Sequence, residues 1–267
     1  MSSYCKQRIR VSGSLWHGKV LEGVAGIVDL CIRVDAPEAV ICKDRPKITA
    51  VCIDGCFIKR YNLPGFLTRF RRRFKRPRPL LALDGAEALD RLGIATPQVL
   101  AALVESRFWQ LRREYLVTAA LGADDRLFPK ICTPAAGRAS WAKLLDSVMP
   151  PLCRMHDAGY LHGDLSLRNI YLPAGAVEAG FIDLDGMRHR RGGLTRHERA
   201  AEVARLVSSF MHYTLDLSAG EKLIDDAVAR YNLLAAAAIT PAAVTAAMGS
   251  MMRRVEESMA KKMRSKI

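Results

Sequence analysis

No run of 18 apolar residues occurs in the 267-residue chain, so no segment is expected to span a bilayer as a helix. The opening MSSYCKQRIRVSGSL has no apolar stretch, so no secretory leader is expected, and the cytoplasm is the expected compartment. No C-x-x-C pair is present. The seven cysteines (Cys5, Cys31, Cys42, Cys52, Cys56, Cys132 and Cys153) are odd in number and scattered, which suits free thiols and argues against a disulfide framework or a zinc site. Acids are scarce: 27 Asp and Glu stand against 41 Lys and Arg, for a net charge of +14. Such an excess speaks of partners, not of fold. An anionic membrane surface or a phosphorylated substrate would fit. Nucleic acid is disfavoured, because the chain carries no helix-turn-helix, zinc-finger or RNA-binding signature.

What is present changes character along the chain. Ile27–Val34, Ala39–Cys42 and Ile48–Ile53 are β-branched runs that read as strands, and Asp54-Gly55 reads as a hairpin turn into a returning strand, Cys56–Tyr61. Residues 66–76 (FLTRFRRRFKR) are basic and aromatic at helical spacing and end at Pro77. Leu81–Leu92 reads as a helix with Gly93 at its C′ position, and Glu114–Ala119 as a further strand. Beyond Ala123 the periodicity turns helical, over Trp141–Met149, 198–232 and a Met-rich, basic 241–264, whose stretch 248–263 is expected to be a packing face. Pro150 and Pro151 are expected to kink or divide a helix ahead of Leu152–Asp157. This predicts an α+β chain: a strand-rich lobe over 1–119 and a helical lobe over 120–267.

The segment richest in chemistry is Leu161–Asp185, LHGDLSLRNIYLPAGAVEAGFIDLD. His162-x-Asp164 is followed five positions later by Asn169, then by a short strand, a turn, and an apolar strand ending in Asp183. The spacing resembles the H-R-D-x-x-x-x-N signature of the protein-kinase-like superfamily, with Gly163 in place of the Arg. HGDLSLRNI followed by FIDLDG resembles the lipopolysaccharide core kinases, which phosphorylate Kdo or heptose sugars, and less closely the aminoglycoside and choline phosphotransferases. FIKRYN, a basic stretch and then LGIATP resemble the same lipopolysaccharide kinases, so the likeness runs over roughly 39–210.

That resemblance implies a protein-kinase-like two-lobe fold and a phosphotransferase using ATP and Mg²⁺. Phosphoryl transfer asks the protein mainly to position the nucleophile and to neutralise charge. By resemblance, Asp164 would orient or deprotonate the acceptor hydroxyl within a catalytic loop, 162–169, braced by His162. Asn169 and Asp183 would hold Mg²⁺, with Asp185 the rival carboxylate. Lys59 would contact the α- and β-phosphates, and the strand end around Thr118 would be the hinge touching adenine. The phosphate-covering loop falls on KDRPK, which has no glycine, so Lys43 and Lys47 are the residues left to supply charge there. The Glu that pairs with the strand lysine in such enzymes is sought in Leu81–Leu92, where Asp84 and Glu87 are the acids. The implied acceptor is the lipopolysaccharide core or another phosphorylated sugar.

Other functions remain open at this stage: another small-molecule or protein kinase of the same fold, a catalytically weak kinase-like scaffold, or, least favoured, a nucleic-acid-binding protein. Residues 58–78 hold nine Lys or Arg and no acid, with Phe66, Phe70 and Phe74 on one helical face. That pattern suits a helix lying on an anionic membrane surface, and so a peripheral protein at the inner face of the inner membrane; the rival reading packs the three rings into the core. A second basic cluster comprises Arg188, Arg190, Arg191, Arg196 and Arg199.

Overall fold

A computed structural model describes residues 2–108, 110–131, 137–214 and 220–249. The chain divides into two compact units, one made of Met1–Gly122 with Asp183–Gly186, the other of Ala123–Ile182 with Met187–Ile267.

The first unit is built on a seven-stranded antiparallel sheet. Its elements are β1 (Tyr4–Val11), β2 (Ser14–Leu21), α1 (Ile27–Ile32), β3 (Val40–Arg45), β4 (Ile48–Ile53), β5 (Cys56–Asn62), α2 (Phe66–Arg73), α3 (Arg78–Arg91), β6 (Val99–Arg107) and β7 (Gln110–Ala119). The strand order is β1-β2-β6-β7-β5-β4-β3. The hairpin turns carry the positive φ angles their tight geometry demands: Asp54 and Gly55 at 50° and 71°, Ser12 and Gly13 at 48° and 77°. The second of these hairpins, β1–β2, was not expected from the sequence. It lies against β6 so closely that a Cβ on Gly18 would meet the Ala102 carbonyl oxygen at 2.0 Å.

Ile27–Val34 is not the strand its β-branched content suggests. Its buried residues, Ile27, Val28, Cys31 and Val34, follow a helical period, and α1 with the helical turn Arg33–Asp35 lays them on one sheet face against Trp16, Val51, Ile58 and Val117. Burial of the stripe overrides local propensity here. Lys59 pairs with Leu116 and Ala50, one register position away from Ile58, so its side chain leaves from the opposite face. The small and apolar side of α3 (Ala82, Leu83, Gly85, Ala86, Ala88, Leu89) is buried, and the helix packs on β6, β7 and the turn 184–186. Gly93 follows its end at φ 64°, as a C′ glycine should.

The second unit contains β8 (Arg126–Leu127), α4 (Phe128–Ile131), α5 (Gly137–Asp157), β9 (Tyr160–Leu161), β10 (Ile170–Leu172), β11 (Gly180–Phe181), β12 (Arg188–His189), α6 (Arg196–Thr214) and α7 (Gly220–Leu234). Strands β11-β10-β8 form one small sheet and β12-β9 another. Helix α5 runs unbroken through Pro150 and Pro151, so the expected division does not occur. Pro151 cannot donate to the Ser147 carbonyl, and that carbonyl instead accepts the Ala179 N–H at 2.9 Å. A tertiary partner thus stands in for a missing helical bond. Residues 241–249 are helical; the Met-rich stretch beyond lies outside the described residues.

Candidate functional site

Each unit holds a set of polar side chains too organised to be accidental. In the first, Lys59 on β5 is buried, and its Nζ donates to Asp183 Oδ1 and, at 3.3 Å, to Asp185 Oδ2. The ammonium also stands 5.0 Å from the centre of the Tyr61 ring, two residues along the same strand face. Burial raises the Asp185 carboxyl above its usual pKa; Lys59 opposes the rise and the Asp183 charge adds to it. Burial, with the two carboxylates adding, likewise pushes the Tyr61 hydroxyl well up. Asp183 has φ 63°, a left-handed backbone that costs a non-glycine residue roughly 1–2 kcal/mol and that Asp tolerates better than most.

The lysine has no partner on α3. Asp84 binds Arg76 at 2.5 Å and Glu87 approaches Lys19 at 3.8 Å. Because the small side of α3 is spent on packing, its acids lie elsewhere on the helix, and Asp183 and Asp185 bring carboxylates to Lys59 instead. The other expected nucleotide contacts lie on β3, the turn after it and β7. β3 continues to Arg45, which pairs with Ile48, so KDRPK is not an open flap but a strand end and a two-residue turn, Pro46-Lys47. Lys43 and Lys47 are exposed there. Thr118 lies half-buried on β7 between Phe57 and Val99, and the next two N–H groups, of Ala119 and Ala120, bond Gln98 and Gly55.

In the second unit, the loop 162–169 exposes Asp164 while its frame is buried. His162 is fully buried. Its Nε2 meets the Ile182 carbonyl at 3.0 Å and its Nδ1 accepts the Asp164 N–H at 3.3 Å, which assigns the proton to Nε2. Asn169 donates through Nδ2 to the Asp164 carbonyl at 2.8 Å and to Asp164 Oδ2 at 3.2 Å, leaving its Oδ1 as the acceptor end. Gly163 has φ 86°, which explains glycine where the kinase signature carries Arg.

Helix α6 supplies what the sequence reading missed. Buried Glu202 accepts the N–H groups of His162 at 2.9 Å and Gly163 at 2.6 Å, and meets His156 Nε2 at 3.3 Å. Arg205 donates to the Gly163 carbonyl, and Ser209 Oγ accepts the Leu167 N–H at 3.0 Å. Arg199, grouped above in the second basic cluster, is buried and bonded to Asp157 at 2.6 Å and to the Tyr231 hydroxyl at 3.0 Å. Residues 199, 202, 205 and 209 recur at helical spacing among Ala200, Val203 and Leu206. Charged residues on the apolar stripe of 198–232 were the available signal.

Burial alone would raise the Glu202 carboxyl, but His156, His162 and the Gly163 N–H outweigh it, and the carboxyl is held below its usual pKa. Its contribution to stability is therefore present above the ordinary carboxylate range and lost as pH falls through the depressed value. Glu202→Gln is expected to cost about 3 kcal/mol at neutral pH, as for one partner removed from a buried charged network. Urea unfolding checks this, and the gap between variant and parent should narrow in acid. Equal midpoints at neutral pH would exclude this anchoring role.

Residues 66–231 match the family model of the lipopolysaccharide kinase (Kdo/WaaP) family. Among solved structures the chain is similar to WaaP in complex with acyl carrier protein, with a TM-score of 0.50 and 16% identity over 85% of this chain and 91% of that one. It also matches a glucosamine kinase, with a TM-score of 0.42 and 13% identity over 95% of this chain and 82% of that one. No curated protein sequence matches. The α+β class read from the order of strands and helices, and the protein-kinase-like fold implied by the resemblance, are thereby shown.

Proposed function

The chain belongs to the lipopolysaccharide kinase (Kdo/WaaP) family, and from that premise we propose that it transfers the γ-phosphate of ATP to a sugar hydroxyl, of heptose or Kdo, in the lipopolysaccharide inner core. The observation that carries this reading is the loop 162–169, where an exposed carboxylate, Asp164, stands on a backbone pinned by Glu202, His162 and Arg205. A rigid frame under an accessible carboxylate is what a base for an acceptor hydroxyl requires.

Asp164 takes the proton of that hydroxyl, and His162 braces the loop beneath it. Lys59 meets the α- and β-phosphates, with Lys43 and Lys47 adding positive charge and the strand end at Thr118 meeting adenine. Asn169 through its amide oxygen and Asp183 through its carboxylate are hard donors of the kind Mg²⁺ takes, usually one or two from the protein with water and phosphate completing the shell. Bound magnesium would neutralise charge on the transferring phosphate. No described helix is long and apolar enough to cross a membrane, and we place the protein at the inner face of the inner membrane as a peripheral enzyme.

The test is transfer from labelled ATP to purified, dephosphorylated core oligosaccharide, run beside casein and kanamycin. Label on the oligosaccharide alone is expected. Label on kanamycin or casein but not on the oligosaccharide would move the chain to another acceptor class.

A further inference from the structure

Helix α2 buries none of its residues. Phe66, Leu67, Phe70 and Phe74 are 66%, 69%, 54% and 74% exposed, so the reading that packs these rings in the core does not hold. The rings touch in series, Phe66 to Phe70 at 6.3 Å and Phe70 to Phe74 at 5.2 Å between centroids, which makes one continuous ridge. An apolar ridge left in water marks a surface with a partner.

The back of the helix is fixed. Arg72 sends both arms of its fork to Glu114, at 2.8 and 3.1 Å, and that carboxylate is wholly buried on β7. The Arg78 N–H adds a third bond to Glu114 at 3.0 Å. Arg69 donates to the Leu63 carbonyl at 3.0 Å. With about 100° of turn per residue, Arg72 falls opposite the Phe ridge, while Arg71 and Arg73 flank it on either side. Arg71, Arg73 and Lys75 are exposed, and no acid lies between residues 58 and 78.

We propose that this face of α2 docks on an anionic phospholipid bilayer, with the three rings at the acyl boundary and Arg71, Arg73 and Lys75 on headgroup phosphates. The geometry favours lipid because an apolar ridge flanked on each side by a cation is the cross-section of a helix lying in a membrane interface. A nucleic acid would use the cations and leave the Phe ridge wet. The inference deepens the proposed function by naming the surface that brings the enzyme to a lipid-borne acceptor, and it rests on that reading only for its purpose. The binding assay uses neither nucleotide nor acceptor, so it can fail while the kinase assay succeeds, and the reverse.

The full chain is sedimented with vesicles of phosphatidylcholine alone or mixed with phosphatidylglycerol. Binding to the mixed vesicles only, weakening as salt rises, is expected. R71E/R73E/K75E should weaken it on the order of 100-fold, at roughly fivefold per cation near an anionic surface. F66S/F70S/F74S should weaken it at least about tenfold while keeping its salt dependence. K6E/R8E/R10E makes the same charge change on the edge strand β1 and should stay within about threefold of the parent. Melting curves of all three verify folding; Arg72 is left intact because its loss would strand Glu114. Unchanged binding by the α2 variants overturns the proposal, as does an equal loss in the β1 control, which would mean bulk charge alone. Absence of vesicle binding by the parent also overturns it and leaves the ridge to a protein partner.

Discussion

Asp164→Asn is expected to lower phosphotransfer by at least about 10²-fold while leaving the fold intact, the lower range for loss of a general base. The carboxylate is exposed, and the one bond within the loop that it accepts, from Asn169 Nδ2 at 3.2 Å, is one an amide oxygen can also accept. Glu202 grips the backbone at His162 and Gly163, His162 bonds the Ile182 carbonyl, and Asn169 keeps its stronger bond, to the Asp164 carbonyl, at 2.8 Å. An amide of the same shape keeps all of these and loses only the ability to take a proton. Initial rates with saturating substrates, beside melting curves, separate the two effects. Turnover comparable to the parent, with the same melting temperature, would remove Asp164 from the role of base and leave only positioning to the loop.

The catalytic loop could be read from the sequence because its chemistry is local. His162, Asp164 and Asn169 lie within eight residues, so their spacing alone carries the motif. What steadies the loop was less legible, since Glu202 and Arg205 act from about 40 positions away, and a charged residue on an amphipathic helix looks like any solvated one until its partner is known. The same holds for the nine cations of residues 58–78: they read as one surface, yet Arg72 belongs to a buried pair with Glu114 and Arg60 to Asp35 and Asn62. In the sheet, Asp54-Gly55 announced its hairpin by turn chemistry. Ile27–Val34 misled because β-branched content and a helical burial stripe compete, and only packing on Trp16 and Ile58 decides between them. The partners of Lys59 were sought on the wrong element, because Asp183 and Asp185 join the first unit from 124 and 126 residues downstream of the lysine.

Asp183→Asn should be far more damaging than Asp185→Asn, although both carboxylates bond Lys59. Asn is chosen for Asp183 because it tolerates the φ of 63° that Ala would resist, so any loss reports on charge and not on backbone strain. Without the Asp183 carboxylate, Lys59 loses its nearer anion and the proposed magnesium site loses its charged donor. A fall in turnover of about 10³-fold is expected, in the range for a single preorganised electrostatic contact, together with at least tenfold weaker Mg-ATP binding by calorimetry. Asp185 differs in kind. Its carboxyl pKa is raised, first by burial, so its charged form is disfavoured in the folded protein. A raised carboxyl pKa means the folded state holds its proton more tightly, and stability declines as pH climbs from the ordinary value toward the raised one. Asp185→Asn removes that penalty and should leave the melting temperature equal or higher at neutral pH, with a smaller loss of rate. Should Asp185→Asn abolish Mg-ATP binding and Asp183→Asn spare it, the metal ligand is Asp185. The strained Asp183 would then serve only to hold Lys59 in place.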